Sequence, residues 1–206
     1  VQKKFGIIYD ESQKQALIKI MQESLFILTG GPGTGKTTII NGVVEMYRYL
    51  EEIDLDSDAI QLAAPTGRAA KRMNELTGIS ASTIHRMLGI SAEENSELEQ
   101  DDYDESRSLY CDFLIIDEMS MVDTWLMNRL LRATPGKTKI LFVGDKNQLP
   151  SVGAGLILRD LIESKKVPTI VLNKVFRQEE GSRLVFNAHA MKDGLGIGRE
   201  NGPVFN

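Results

Sequence analysis

Lys36 and Thr37 close the run GGPGTGKT, Gly30 to Thr37, which fits G-x-x-x-x-G-K-[ST] in full. Glycines at this density let the backbone wrap closely, so that amide N–H groups point inward at a phosphate. The wrap is made by Gly31, Pro32, Gly33, Thr34 and Gly35, and Thr38 follows directly after Thr37. Lys36 is the type of residue that reaches β- and γ-phosphates, and the Thr37 hydroxyl is a ligand for Mg²⁺. The segment reads as a cradle for ATP with Mg²⁺. An apolar stretch before it and a helical stretch after it argue against a chance match in a glycine-rich turn.

A second stretch, FLIIDEMSMVD (113–123), ends an apolar run in two carboxylates, Asp117 and Glu118. Both would emerge at the C-terminal edge of a strand, beside the first strand's loop. Asp117 suits a magnesium ligand acting through water, and Glu118 suits a base that takes a proton from an attacking water. The pair favours water as the phosphoryl acceptor, hence hydrolysis over transfer to another substrate. In LFVGDKNQLPSVGAG (141–155), Gln148 offers a donor and an acceptor to bridge a phosphate oxygen and a water or a neighbouring strand. Asp145 is placed to orient its neighbours. Arg177, in VFRQ (175–178), either meets a γ-phosphate or is an ordinary surface arginine. Gln13 has two readings of equal standing, an amide that matches the adenine edge and a helix-capping side chain.

These groups need strands that deliver them to one edge. Apolar runs at 24–29, 59–64, 112–117, 139–145 and 168–173 read as buried strands. Helical stretches are expected from Asp10 to about Met21, over 35–50, from about Gly67 to Leu76, over 82–88, over 123–133 with Asp123 as cap, and from about Ser182 to Met191. The alternation predicts an α/β fold, a mainly parallel sheet with helices on both faces. Residues 91–108 break the rhythm. Eight acidic residues lie between Glu93 and Glu105, which reads as an acidic surface insert over about 90–110.

The 206 residues carry a formal charge of −5, which argues against coating nucleic acid by bulk charge but leaves room for a narrow positive groove. No apolar run approaches the roughly 18 residues that span a bilayer, so no membrane partner is expected. The single cysteine, Cys111, excludes an internal disulfide framework and points to a reducing, cytoplasmic setting. Its apolar neighbourhood favours a buried side chain over a reactive thiol. The chain opens on Val1 and stops shortly after a Gly-Pro pair. Both ends are read as cut, and residues 1–206 as one domain of a longer protein.

Six segments in order carry a resemblance: Gly30–Thr37, APTGRAA (64–70), STIHRMLG (82–89), IIDEMSMVD (115–123), GDKNQLPSVGAG (144–155) and VFRQEEGSRLVFNAHAMKDG (175–194). Together they resemble the first RecA-like motor domain of a superfamily 1 DNA helicase of the RecD/TraA type, from about Gln13 to Gly194. The resemblance implies a P-loop NTPase that moves 5′ to 3′ on single-stranded DNA with ATP and Mg²⁺, in DNA repair and recombination. It implies Gln13 beside the base, and Gln148 and Arg177 reporting the γ-phosphate. It nominates Pro65, Thr66 and Arg68, then Thr83 and His85, as contacts to the DNA backbone. Such groups bind phosphate without reading sequence. Thr66 read alone is a helix cap, and His85 read alone is a packed core residue.

Related helicases carry a strand-splitting hairpin where the acidic insert falls, and its negative charge speaks against that use here. The resemblance also implies a second RecA-like domain, absent from these 206 residues. The isolated chain is therefore expected to bind nucleotide weakly and to unwind nothing. Two other readings stay open. One is the motor of a conjugative relaxase-helicase, distinguished by an upstream nicking domain. The other is a binding module that changes shape on nucleotide.

Overall fold

The computed structural model describes residue 6 and residues 8–54, 57–90 and 108–174. The central strands are short, apolar and buried along most of their length because both faces of the sheet are covered there. In chain order the elements are α1 (Glu11–Gln22), β1 (Leu25–Gly30), α2 (Lys36–Leu50), β2 (Ile60–Ala64), α3 (Gly67–Thr77), β3 (Ala81–Thr83), α4 (Ile84–Met87), β4 (Phe113–Ile116), α5 (Thr124–Ala133), β5 (Lys139–Gly144), α6 (Ile157–Ser164) and β6 (Thr169–Leu172). A 3₁₀ turn, Met119–Met121, lies between β4 and α5.

The sheet order is β3-β2-β4-β5-β1-β6, and every pairing is parallel. All six strands therefore end on one edge. Alternate residues go to opposite faces. Phe26, Leu28, Phe113, Ile115, Leu141 and Val143 pack with α1, α2 and α3 through Leu17, Ile20, Ile40, Val43 and Met73. Ile27, Ala63, Leu114, Ile116 and Phe142 pack on the other face with α4, α5 and α6 through Ile84, Leu126, Leu130 and Leu158. The expected α/β fold, with a parallel sheet between two helical layers, is what forms.

Two elements depart from the sequence reading. Residues 82–88 were expected as one helix, yet Ala81–Thr83 is an edge strand on β2 and only Ile84–Met87 is helical. Pairing with β2 takes those three residues before the Thr83 cap starts the helix. The helix α6 was not anticipated. The closing helix near 182–191, Arg177 and almost all of the acidic insert lie outside the described residues. Among the described residues no helix is long and apolar enough to cross a membrane. Cys111 is 6% exposed, and burial pushes its thiol up to about 11, which makes it a structural and not a reactive cysteine.

Candidate nucleotide and DNA site

The phosphate loop turns directly off β1. Gly33 and Gly35 have φ values of 77° and 85°, a left-handed backbone that only glycine adopts without strain. Gly30 is required for a different reason. A Cβ there would lie 2.6 Å from the Thr34 hydroxyl and 2.8 Å from the Leu172 carbonyl of β6. The buried Thr34 ties the loop shut by donating its hydroxyl to the Gly31 carbonyl at 2.8 Å. Gly35 then serves as N-cap of α2 without a side-chain cap, so the first amides of α2 stay available to an anion.

Lys36 folds over this loop and donates to the carbonyls of Gly30 at 2.7 Å and Gly31 at 3.0 Å. Burial lowers its pKa, while Asp145, Asp117 and Glu118 oppose that shift. These three carboxylates thus lie within electrostatic reach of the same lysine. The strand order explains how: β5 lies between β1 and β4, so Asp145 after β5 and Asp117 after β4 follow the loop in sequence across the edge. The sequence had put the Asp117 strand beside the first; one strand intervenes, and electrostatic reach survives it.

Burial pushes the Asp117 carboxyl up to about 6, although it accepts the Glu118 N–H at 2.8 Å. Glu118 itself has φ 54° and ψ 38°, left-handed for a residue with a side chain. Such a conformation costs on the order of 1–2 kcal/mol and persists where its surroundings hold it. Here the Asp117 carboxylate and the turn to Met119–Met121 do so. Asp145 is buried and accepts the Asn147 N–H at 3.0 Å, and its carbonyl accepts the Gln148 N–H at 3.1 Å. It orients the Gln148 loop as expected. Gln148 is exposed and lines a cavity of about 200 Å³ with Ser120, Lys146, Pro150, Leu156, Leu158 and Arg159.

Gln13 is 3% exposed, and its Oε1 accepts the Asp10 N–H at 3.1 Å while its own N–H donates to Asp10 Oδ1 at 2.8 Å. Of its two readings, the capping box is formed. The cap still sits at the working edge, because Asp10 lies within electrostatic reach of Lys174, just past the end of β6.

The remaining candidates emerge from the other half of the edge. Thr66 caps α3 by accepting from Ala69 N–H at 3.3 Å, and Thr83 caps α4 by accepting from Arg86 N–H at 3.1 Å. Ala64 pairs with Thr83 across β2 and β3, so Pro65, Thr66 and Thr83 leave the sheet side by side. Each capping hydroxyl keeps its own proton to donate. Arg68 is exposed, and His85 is half-buried against α5. Sequence reasoning missed Arg72 of α3, whose charge acts on both Asp117 and Lys36. Nothing in its spacing distinguishes it from a solvated helix residue.

The donor set fits the implied cofactors. Thr37 and Asp117 supply oxygen, the ligand type that Mg²⁺ takes. No cluster of three or more acidic, His or Cys ligands exists among the described residues.

Residues 13–154 match the AAA_19 family, an AAA domain. The chain belongs to this family. The AAA domain is a nucleotide-binding unit, in accord with the loop at Gly30–Thr37. It is 40% identical over 186 residues to the ATP-dependent RecD2 DNA helicase of Deinococcus radiodurans, covering 89% of this chain and 24% of that protein. It is 37% identical over 180 residues to the RecBCD enzyme subunit RecD of Mycolicibacterium smegmatis, covering 79% of this chain and 32% of that one. The chain thus spans about a quarter to a third of the length of these relatives. The fold is that of the Pif1 helicase from Candida albicans, with TM-score 0.69 at 24% identity over 94% of this chain and 46% of that one. It is likewise that of Bacteroides Pif1 bound to single-stranded DNA, with TM-score 0.60 at 23% identity over 91% of this chain and 47% of that one.

Proposed function

We propose that this AAA domain is the first motor domain of an ATP-dependent DNA helicase that moves 5′ to 3′ on single-stranded DNA. The observation that carries the reading is the order of groups along one sheet edge. The phosphate loop, Asp145 and Gln148, Asp117 and Glu118, Pro65 to Arg68, and Thr83 with His85 follow one another across five adjacent strand ends. A nucleotide site and a backbone-phosphate site on one rigid edge can be coupled without a hinge between them. The similarity to RecD2 and RecD supports the same reading.

In this account Lys36 exchanges its loop carbonyls for the β- and γ-phosphates. The amides of residues 31–38 and the N-terminus of α2 take the rest of the phosphate charge. Thr37 and Asp117 would hold Mg²⁺, which would supply charge neutralisation at the phosphates. Glu118 accepts a proton from water as the water oxygen attacks the γ-phosphorus, and the bond to the β–γ bridging oxygen breaks. Gln148 and Arg177 sense whether the γ-phosphate is present. Gln13 keeps its Nε2 amide for the adenine ring while Oε1 caps α1. Thr66, Arg68, Thr83 and His85 hold DNA phosphates. A second RecA-like domain of the same polypeptide closes on the nucleotide, and ATP binding and hydrolysis alternate that closure.

The test uses full-length protein on oligonucleotides blocked with streptavidin at one end. Displacement from the 3′ end alone, dependent on ATP, is expected. Displacement from the 5′ end alone would contradict the polarity, and none from either end would contradict translocation.

A further inference from the structure

An aromatic stack crosses from α4 to α5 below the DNA half of the edge. The His85 ring lies on the Trp125 indole with centroids 6.4 Å apart and planes at 29°. Arg129, one helical turn beyond Trp125, puts its guanidinium carbon 5.6 Å from the centroid of the same indole. Trp125 also packs on the core formed by Ile84, Leu126 and Leu130. Its indole is therefore fixed from below by the core and flanked by one ring and one cation.

His85 is the second residue of α4 and Trp125 the second of α5. The first helix follows the end of β3 directly, and the second follows the 3₁₀ turn after β4, so both residues sit at the edge where the strands end. No described residue hydrogen-bonds the ring nitrogens of His85. An imidazole on a two-residue-deep position of a four-residue helix has a broad χ2 torsion and would turn freely without a neighbour. The indole restricts that rotation, and among the described residues the ring nitrogens have no hydrogen-bond partner.

We propose that Trp125 is a positioning residue for DNA binding: it fixes the His85 ring so that a ring nitrogen meets a backbone phosphate of the single strand. Arg129 steadies the indole from its flank. This rests on the reading of the Thr83–His85 segment as a DNA contact. Trp125 touches neither nucleotide nor DNA in this arrangement and acts through His85.

The experiment measures, on full-length protein, the single-stranded DNA concentration that half-saturates ATP hydrolysis, together with the rate at saturating DNA and the melting temperature. The variants are His85→Ala, Trp125→Leu, Trp125→Phe and the double His85→Ala/Trp125→Leu. Leucine keeps apolar bulk on the core without a ring, so folding is retained. His85→Ala is expected to raise the half-saturating concentration about tenfold, the worth of one hydrogen bond to a charged group. Trp125→Leu should approach the same shift with the saturated rate unchanged, Trp125→Phe should recover most of it, and the double variant should bind no worse than His85→Ala. Should His85→Ala weaken binding while Trp125→Leu does not, or should the two losses multiply, the positioning role is overturned. Should His85→Ala itself leave DNA affinity unchanged, the DNA reading of that segment falls first.

Discussion

Replacing Asp117 with asparagine should stabilise the fold and stop turnover together. Burial pushes this carboxyl from 3.8 up to about 6, Glu118 adds to the rise, and the Glu118 N–H, Lys36 and Arg72 oppose it. The folded pKa is raised above the unfolded one. The group's contribution to stability is therefore complete below pH 3.8 and is lost as pH rises through 6. A shift of about two units at 1.36 kcal/mol each gives an upper limit of ~3 kcal/mol. The carboxylate keeps partial contact with solvent, which reduces this to ~1–2 kcal/mol. Asparagine has the same shape and no charge, and its Oδ1 can still accept the Glu118 N–H now made at 2.8 Å. Thermal unfolding at pH 7.5, without nucleotide or divalent metal, should move up by about 3–6 °C. At pH 5 the gain should shrink to about half, because the native carboxyl is then mostly protonated. ATP hydrolysis by the same variant should fall by at least about 100-fold. A melting temperature at or below that of the parent at pH 7.5, or a gain that ignores pH, would refute the reasoning.

Lys36→Ala should abolish ATP turnover while the circular-dichroism spectrum and melting temperature change little; retained hydrolysis would remove Lys36 from its assigned role. Gly30→Ala should cost about 1–3 kcal/mol in denaturant unfolding, since a Cβ at 2.6 Å from the Thr34 hydroxyl and 2.8 Å from the Leu172 carbonyl forces β6 or the loop to move. Asp10→Ala should cost about 1 kcal/mol by opening the capping box, and it should weaken adenine nucleotides more than inorganic triphosphate, because Gln13 loses its anchor.

The phosphate loop and the main strands were legible because each is written locally. A strand of consecutive apolar residues leading into Gly30 or Asp117 announces both the element and the side chain it delivers. The Asp10–Gln13 pair announced a cap, and the Asp123 cap of α5 was equally plain. What escaped was written elsewhere. The strand β3 has three half-buried residues and no alternation to detect, and it exists because β2 pairs with it. The helix α6 starts at Leu156 without a side-chain cap and ends at Lys165 in a left-handed conformation usually given to glycine, so neither end carries a signal. The strained backbone of Glu118, the reach of Arg72 to Asp117 and the stacking of His85 on Trp125 arise only when separate elements meet.

The central claim is that one sheet edge couples ATP hydrolysis to single-stranded DNA. The most direct measurement is the steady-state ATPase rate of the full-length protein with and without single-stranded oligonucleotide, with Arg68→Ala alongside. Coupling predicts a rise of about tenfold or more on adding DNA. In Arg68→Ala the DNA concentration needed should increase, with a salt dependence of binding shallower by about 0.7 in log–log slope, the loss of one phosphate contact. A rate indifferent to single-stranded DNA would contradict the account.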